Sequence, residues 1–456
     1  MKKLLIIATL AAVGMGACSK DDGVSAPEDL RKYVQVTIPE NAASGETRTS
    51  VDGTTTSWVA GDRVAVSLYN GSTTEVCEFT ADRTGATTTF SGSVPVGSYT
   101  CAAAHYPFCA ATFDAVNKTF THTWGDAYCS TDLAAYDFMF STVYETPFVV
   151  DETTTVLPIA LTFRPLMARI GMKLALGANE TPKYVTFTTD DNVLPTAGTV
   201  NADGTFSASA LTNTLTVETD RKEFTVGLLP VGVASKMSVH VTTTDGMTYS
   251  DKSFQLAGLK RNTHYTMNVP CRTKRFMLTV PDGVNSKYGT GTYKNNEFYS
   301  VDPATDPTGI FKDWYFYRAE LKNTTNTARG DKLKGKNRIQ LQVALGGNNS
   351  NNGAFVTAPI QCDGTKTVTV SFTAATNRAI SANYWIGVTD NGPITSDWLR
   401  DINKISPHAE GLIPRSDNVS HSHTFTVTNG QRIMVKVSNT LGEHHLEFAD
   451  FTYTVE

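Results

Sequence analysis

The chain has 456 residues, 40% of them hydrophobic and 18% charged, with a formal net charge of −5. That length exceeds what one hydrophobic core supports, since cores stop growing near ~250–300 residues, and two to four domains are expected. The weak charge, with no basic arm or acidic tail, gives no basis for nucleic acid or an anionic membrane surface as partner.

Lys2 and Lys3 open the chain, Leu4–Val13 is apolar, and Gly14–Ala17 lead into Cys18. This is a secretory signal, too short for a stable membrane-spanning helix. The cysteine after small residues resembles a bacterial lipobox, with Met15 where leucine is usual. That resemblance implies cleavage before Cys18 and acylation of it; the alternative is an ordinary signal cut near Ala17 beside an incidental cysteine. Several acyl chains hold a protein firmly in a membrane. No other segment approaches the ~18 apolar residues of a span. Membrane contact is therefore expected through the anchor alone. Ser19–Asp22 resembles the acidic export signal of surface lipoproteins of anaerobes, which implies the outer membrane and the cell surface.

Beyond a polar tether (18–33), nearly every readable segment has period two. Val34, Val36 and Ile38 alternate with Gln35 and Thr37; Val64, Val66 and Leu68 alternate with Ala65, Ser67 and Tyr69; Val368, Val370 and Phe372 alternate with Thr367, Thr369 and Ser371. Such runs are half-buried strands. Asp52–Gly53, Gly61–Asp62, Asp203–Gly204, Asp245–Gly246, Asp363–Gly364 and Asn429–Gly430 punctuate them as turns. Many short strands at this spacing predict an all-β chain of sandwiches. Helical periodicity is nearly absent; Asp397–Asn403 is the one candidate helical turn. A polar, proline-bearing stretch at Thr146–Thr155 and a linker at Cys271–Arg275 divide the chain into sandwiches at 34–150, 151–271 and 276–456. Six cysteines follow Cys18 (Cys77, Cys101, Cys109, Cys129, Cys271 and Cys362). Six allow 15 pairings, and four lie between 77 and 129. One or two bridges there, or buried free thiols, are both open.

Glu46–Val51, Thr55–Val64 with its Trp58–Val59–Ala60–Gly61–Asp62 core, Phe90–Gly92, Leu161–Ile170 and Leu256–Tyr265 recur in an order that resembles the fimbrillin-like family, subunits of type V pili. The likeness covers about residues 34–270, and Arg164–Pro165 departs from a pattern that often carries His there. Physically, Trp58 reads as a core anchor before a turn capped by Asp62. The resemblance implies two consecutive fimbrillin-type β-sandwiches. It also implies that a trypsin-like protease removes the first strand, here Val34–Ile38, by cutting after Arg48. The groove so opened then accepts a strand of another subunit by β-strand addition. The alternative is an uncut strand and a solvated arginine.

Residues 276–456 lie outside that pattern and more loosely resemble galactose-binding-like jelly rolls, through Gly335–Leu341, Val356–Ile360 and Leu446–Phe451. That resemblance implies a C-terminal binding domain and, in many such domains, structural calcium. Asp302, Asp306, Asp313, Glu447 and Asp450 are the oxygen ligands available. Trp314–Tyr317 sends two aromatics to each face of a strand, Trp385 lies within Tyr384–Val388, and Trp398 follows a loop at Asn391–Pro393. Each has a core reading; as ligand contacts they would stack on a sugar or peptide. His421 and His423 share one strand face near His444–His445, and exposed positions are expected there rather than a zinc site.

No GxSxG, HExxH, GxGxxG or phosphate loop occurs. Assembly or binding is therefore expected rather than catalysis, with no cofactor beyond that calcium. The leading expectation is an accessory or tip fimbrial subunit that joins others by strand exchange and presents an adhesive C-terminal domain to a glycan or cell-surface ligand. The rival is a surface glycan-binding lipoprotein of a polysaccharide-uptake system.

Overall fold

Alternation of apolar and polar side chains builds almost all of the structure, a computed structural model. It describes residues 30–38, 50–52, 55–279, 285–287, 298–300, 313–322, 333, 336–342, 352–376, 381–389, 394, 405–413, 418–438 and 445–456. The fold is all-β, as expected, and the helical content among the described residues is one turn, Leu133–Tyr136, capped by Asp132. The expected helical turn at Asp397–Asn403 lies outside the described residues.

The first sandwich is built on a seven-stranded sheet: Arg31–Ile38, Thr88–Pro95, Thr74–Ala81, Arg63–Tyr69, Cys101–Tyr106, Met139–Ser141 and Phe163–Pro165, in that spatial order. Trp58 is fully buried in its core, edge-on to Phe90, Tyr106 and Phe163, and Asp62 accepts the Val59 N–H at 2.7 Å. Both are the roles their sequence context suggested.

The division at 150/151 is not where the strands part. The first core runs on through Leu157, Ile159 and Leu161 to Phe163. Conversely, the hairpin Thr112–Asp114/Thr119–Thr123 pairs with Leu194–Asn201 of the second sandwich. Cys101–Tyr106 is buried at all six positions because one face fills the first core and the other, with Phe138 and Phe140, fills the second. A strand buried on both faces loses its alternation, so the sequence carries no mark of this shared wall.

The boundary after residue 271 is bridged by the sheet itself. Thr248–Leu256 pairs with Lys274–Met277 through Thr248–Arg275 and Tyr249–Lys274, and Lys274–Met277 pairs with the C-terminal strand His445–Val455. That last strand also pairs with Arg338–Gln342 on the same side and Thr365–Thr376 on the other. Opposite lies a six-stranded sheet containing Tyr315–Tyr317, Ala354–Val356, Arg432–Val437 and Ala382–Thr389, and the two sheets enclose Trp314, Phe355, Phe372, Phe448 and Phe451.

At this crossing lies a buried cation. Lys274 is 1% exposed; its ammonium lies 2.7 Å from Glu180 Oε1 and 3.0 Å from Asp245 Oδ2, and it donates to the Gln361 carbonyl. Glu180 also accepts the Tyr249 hydroxyl at 2.6 Å, and Asp245 accepts the Gln361 N–H at 3.2 Å. Burial and the bond to Glu180 push the Tyr249 phenol far up. Asp363 completes the join by accepting the Ala178 N–H at 2.7 Å.

Replacing Lys274 by Ala leaves two buried carboxylates without their cation, and a loss of about 3–5 kcal/mol in unfolding free energy is expected. Lys274→Met in a Glu180→Gln, Asp245→Asn background should recover much of it, as read by denaturant unfolding. A second outcome concerns pH. His105 is fully buried, stacked on Phe138, and burial lowers its imidazole pKa from 6.5 to about 4. Below pH 6.5 the unfolded chain binds a proton that the folded chain refuses. Stability is therefore complete above that pH and falls by about 3 kcal/mol as pH drops toward 4. His105→Asn should flatten the pH profile of unfolding by about that amount relative to the parent.

Candidate functional site

Two strands decide what this chain can exchange with another. The first, Arg31–Ile38, pairs along its whole length with Thr88–Pro95. Val34, Val36 and Ile38 point into the core, while Arg31, Gln35 and Thr37 face water. The far side of this strand is not bare: Gln35 donates to the Thr155 carbonyl at 2.9 Å and accepts the Leu157 N–H at 2.8 Å. Withdrawing the strand would thus leave a slot with backbone partners on both rims and an apolar floor formed by residues such as Trp58, Phe79 and Phe90. The second, His445–Val455, has three strand partners and buries Leu446, Glu447, Phe448, Ala449, Phe451, Tyr453 and Val455.

The residues singled out in the sequence fall into three groups. Cys18, Arg48, Asp302, Asp306 and Trp398 lie outside the described residues. Trp314 has no exposed surface, stacks on Phe316 and Phe355 and lies tilted against Phe276 inside the sandwich, which leaves it no face for a ligand. Trp385 points to the opposite face of its sheet, half-buried against the small cluster of Tyr317, Ala354, Val356 and Met434, and donates its indole N–H to Glu410. It retains a partly open ring.

The described oxygen ligands do not converge. Glu447 is buried, accepts the Leu333 N–H at 3.0 Å and lies 3.9 Å from Arg338, whereas Asp450 points outward to Lys336. Asp313 accepts at its backbone carbonyl from the Arg432 guanidinium. Among the described residues no group of three or more His, Cys, Asp or Glu could hold a metal ion. Two surface cavities of about 450 and 380 Å³ adjoin at Ala257–Leu259, ringed by Lys252, Lys260 and Arg261. Of the six described cysteines five are buried and Cys109 is half-buried.

His421 and His423 differ from expectation. They turn inward to half-burial, stacked on Phe372, with the His423 ring 2.8 Å from the Tyr384 hydroxyl. Burial lowers both imidazole pKa values, and their mutual repulsion lowers that of His421 further.

A family profile described as fimbrillin-like matches residues 47–283, just over half of the chain. The chain belongs to the fimbrillin-like family. This fimbrillin-like protein is accordingly a fimbrial or adhesive protein of the cell surface. Among solved structures it is similar to a candidate cell adhesion protein of Bacteroides uniformis (18% identity, 54% of this chain and 94% of that one, TM-score 0.36). It is also similar to the C-terminally truncated tip fimbrial protein Mfa3 of Porphyromonas gingivalis (11% identity, 55% and 96%, TM-score 0.29). Its similarity to a xylan-binding domain of Paenibacillus barcinonensis Xyn10C is 12% in identity, over 32% of this chain and 86% of that one, with a TM-score of 0.22. No curated protein matches the chain.

Sequence reading missed the Lys274 centre. Its signal was present: Lys274 stands in phase with the inward Phe276 and Leu278, a cation where an apolar residue belongs. The seating of the first strand is open to direct measurement. Val36→Ala removes two methyls from a fully buried position and should lower stability by roughly 1.5–2 kcal/mol. It should also raise the rate at which a protease attacks the first strand, while an exposed substitution such as Thr37→Ala should change neither.

Proposed function

We propose that this fimbrillin-like protein is a terminal fimbrial subunit of the accessory or tip kind, which receives a strand from a neighbour and gives none. Its precursor is an outer-membrane lipoprotein acylated on Cys18. A trypsin-like cut after Arg48 frees the segment holding Arg31–Ile38, and the slot left in the first sandwich takes the strand of the preceding subunit. The C-terminal sandwich then faces outward, with Trp385 and Trp398 as candidate contacts for a glycan or surface ligand.

The observation that carries this reading is the seat of the C-terminal strand. A donor strand must leave its own subunit, yet His445–Val455 lies inside a sheet with partners on both edges. Exposing Leu446, Phe448, Phe451, Tyr453 and Val455 would cost about 1.5–3 kcal/mol for each large side chain before any backbone bond is counted. The first strand loses only Val34, Val36 and Ile38 and is held mainly along one edge. The asymmetry supports one role, acceptor.

The experiment is to treat the purified mature chain with trypsin at limiting ratio, sequence the new N-terminus, and add a synthetic donor-strand peptide from a shaft subunit. A fragment beginning at Thr49, one-to-one peptide binding and no polymer are expected. Long fibres formed by this protein alone would make it a shaft subunit, and an intact Arg48–Thr49 bond under every native condition would remove the exchange route. A Cys18→Ala chain should be released from the membrane fraction.

A further inference from the structure

A β-sheet edge presents unpaired N–H and C=O groups to any other strand, and folded proteins blunt such edges with charge, proline, bulges, cover or brevity. Several described sheet-end strands follow that rule. Arg31–Ile38 carries Arg31 and Lys32 and is bridged at Gln35. Phe206–Thr212 is interrupted by two register shifts against its partner. Thr214–Glu218 is five residues long and ends on Glu218, and Ile405–Ile413 contains Pro407 and Glu410 and shifts register at its Thr389 end. Val419–Thr428 has none of these devices. Its ten residues, Val-Ser-His-Ser-His-Thr-Phe-Thr-Val-Thr, contain no Lys, Arg, Asp, Glu, Pro or Gly, and they pair with Thr365–Thr376 from Thr365–Thr428 to Ala374–Val419 without a shift. Among the described residues its other edge has no partner.

From this we infer that Val419–Thr428 is a self-association edge, and that two copies of this chain pair along it, antiparallel about a two-fold axis, into one continuous sheet. The two-fold follows from identity: an antiparallel pairing of one edge with itself is isologous and closes as a dimer. Charge permits it, since no like charges meet anywhere along the ten residues. The outward row of Ser420, Ser422, Thr424, Thr426 and Thr428 is hydroxylic and exposed, so neighbouring rows meet as Ser/Thr pairs, the kind already formed inside the sheet by Thr369–Thr424 and Ser371–Ser422. The inward row places His421 and His423, half-buried at the seam between the two sheets, where a second strand would cover them. One strand pairing is small beside a permanent interface, so the dimer is concentration-dependent and best formed by copies crowded on one surface.

The same histidines make the pairing sensitive to acid. The groups facing them are Phe372 and Tyr384, both uncharged, and His408 and Glu410 on the adjoining strand are exposed on the opposite face. With no carboxylate opposite among the described residues, protonation puts four like charges at the join of two copies. This inference does not depend on strand exchange at the other end of the molecule.

The test is sedimentation of the intact mature chain from low to high micromolar concentration at neutral pH, with hydrogen exchange of the same samples. A shift from monomer to dimer is expected, with added amide protection confined to Val419–Thr428. Ser420→Lys with Thr426→Lys places like charges along the joined edges from exposed positions and should return the chain to monomer with its melting temperature unchanged. Buffer at about pH 5 should do the same to the parent chain and not to a His421→Gln, His423→Gln variant. A monomer throughout, a dimer indifferent to both lysines, or protection on another strand would overturn the proposal.

Discussion

The ammonium of Lys274 is the constraint on which the arrangement of this molecule turns. It stands where a sheet of the second sandwich passes into the third, and its three acceptors come from three separate stretches of chain: Glu180, Asp245 and the Gln361 carbonyl. Removing a charge from water is costly, and the geometry offsets that cost only because every partner is itself bonded: Glu180 to Tyr249, Asp245 to Thr243 and Met247. Such a centre adds little to stability beyond what a packed apolar residue would give. What it adds is uniqueness. Pairing Tyr249 with Lys274 in any other register would strand the ammonium away from its carboxylates, so the ladder between the two domains has one low-energy alignment.

That alignment carries a consequence for the C-terminus. Because Lys274–Met277 continues the second sandwich's sheet and also pairs with His445–Val455, the last strand closes the third domain and ties it to the second at once. Two linked tasks hold it more strongly than either would. Tyr453 illustrates the point: it stacks on Phe276, and burial drives its phenol far up. A strand whose departure would both open a core and uncouple two domains is a poor currency for exchange. The first strand closes only its own core.

How much of this was legible depended on whether burial left a period in the sequence. Strands with one wet face, such as Arg31–Ile38 and Thr365–Thr376, announced themselves by alternation, and so did the roles of Trp58 and Asp62. Cys101–Tyr106 did not, because both of its faces are buried, and the wall shared by the first two sandwiches therefore left no period to read. Trp314 and Trp385 show the same limit at the level of one site. Sequence marks both as strand aromatics, but which face meets the core follows from the register of Tyr315–Tyr317 against Ala354–Val356 and of Ala382–Thr389 against Arg432–Val437. Long-range register is not written in any local window. Nor were the partners of Lys274, which lie 94 and 29 residues away along the chain.

The two ends of the described chain obey one physical rule in opposite senses. An edge strand is exchangeable to the extent that its removal exposes little and its place can be refilled by backbone alone. At the N-terminal end the floor of the slot accepts three alternating side chains, and rims on both sides supply hydrogen bonds, so another strand of like pattern restores what was lost. In the C-terminal sandwich the centre of the sheet is locked by His445–Val455, while its margin at Val419–Thr428 stays unblunted. The proposed exchange belongs to the first, and the inferred addition without loss to the second. Both rest on the same unpaired amides and carbonyls that every sheet carries at its limits, and the difference lies in what each strand must uncover to move.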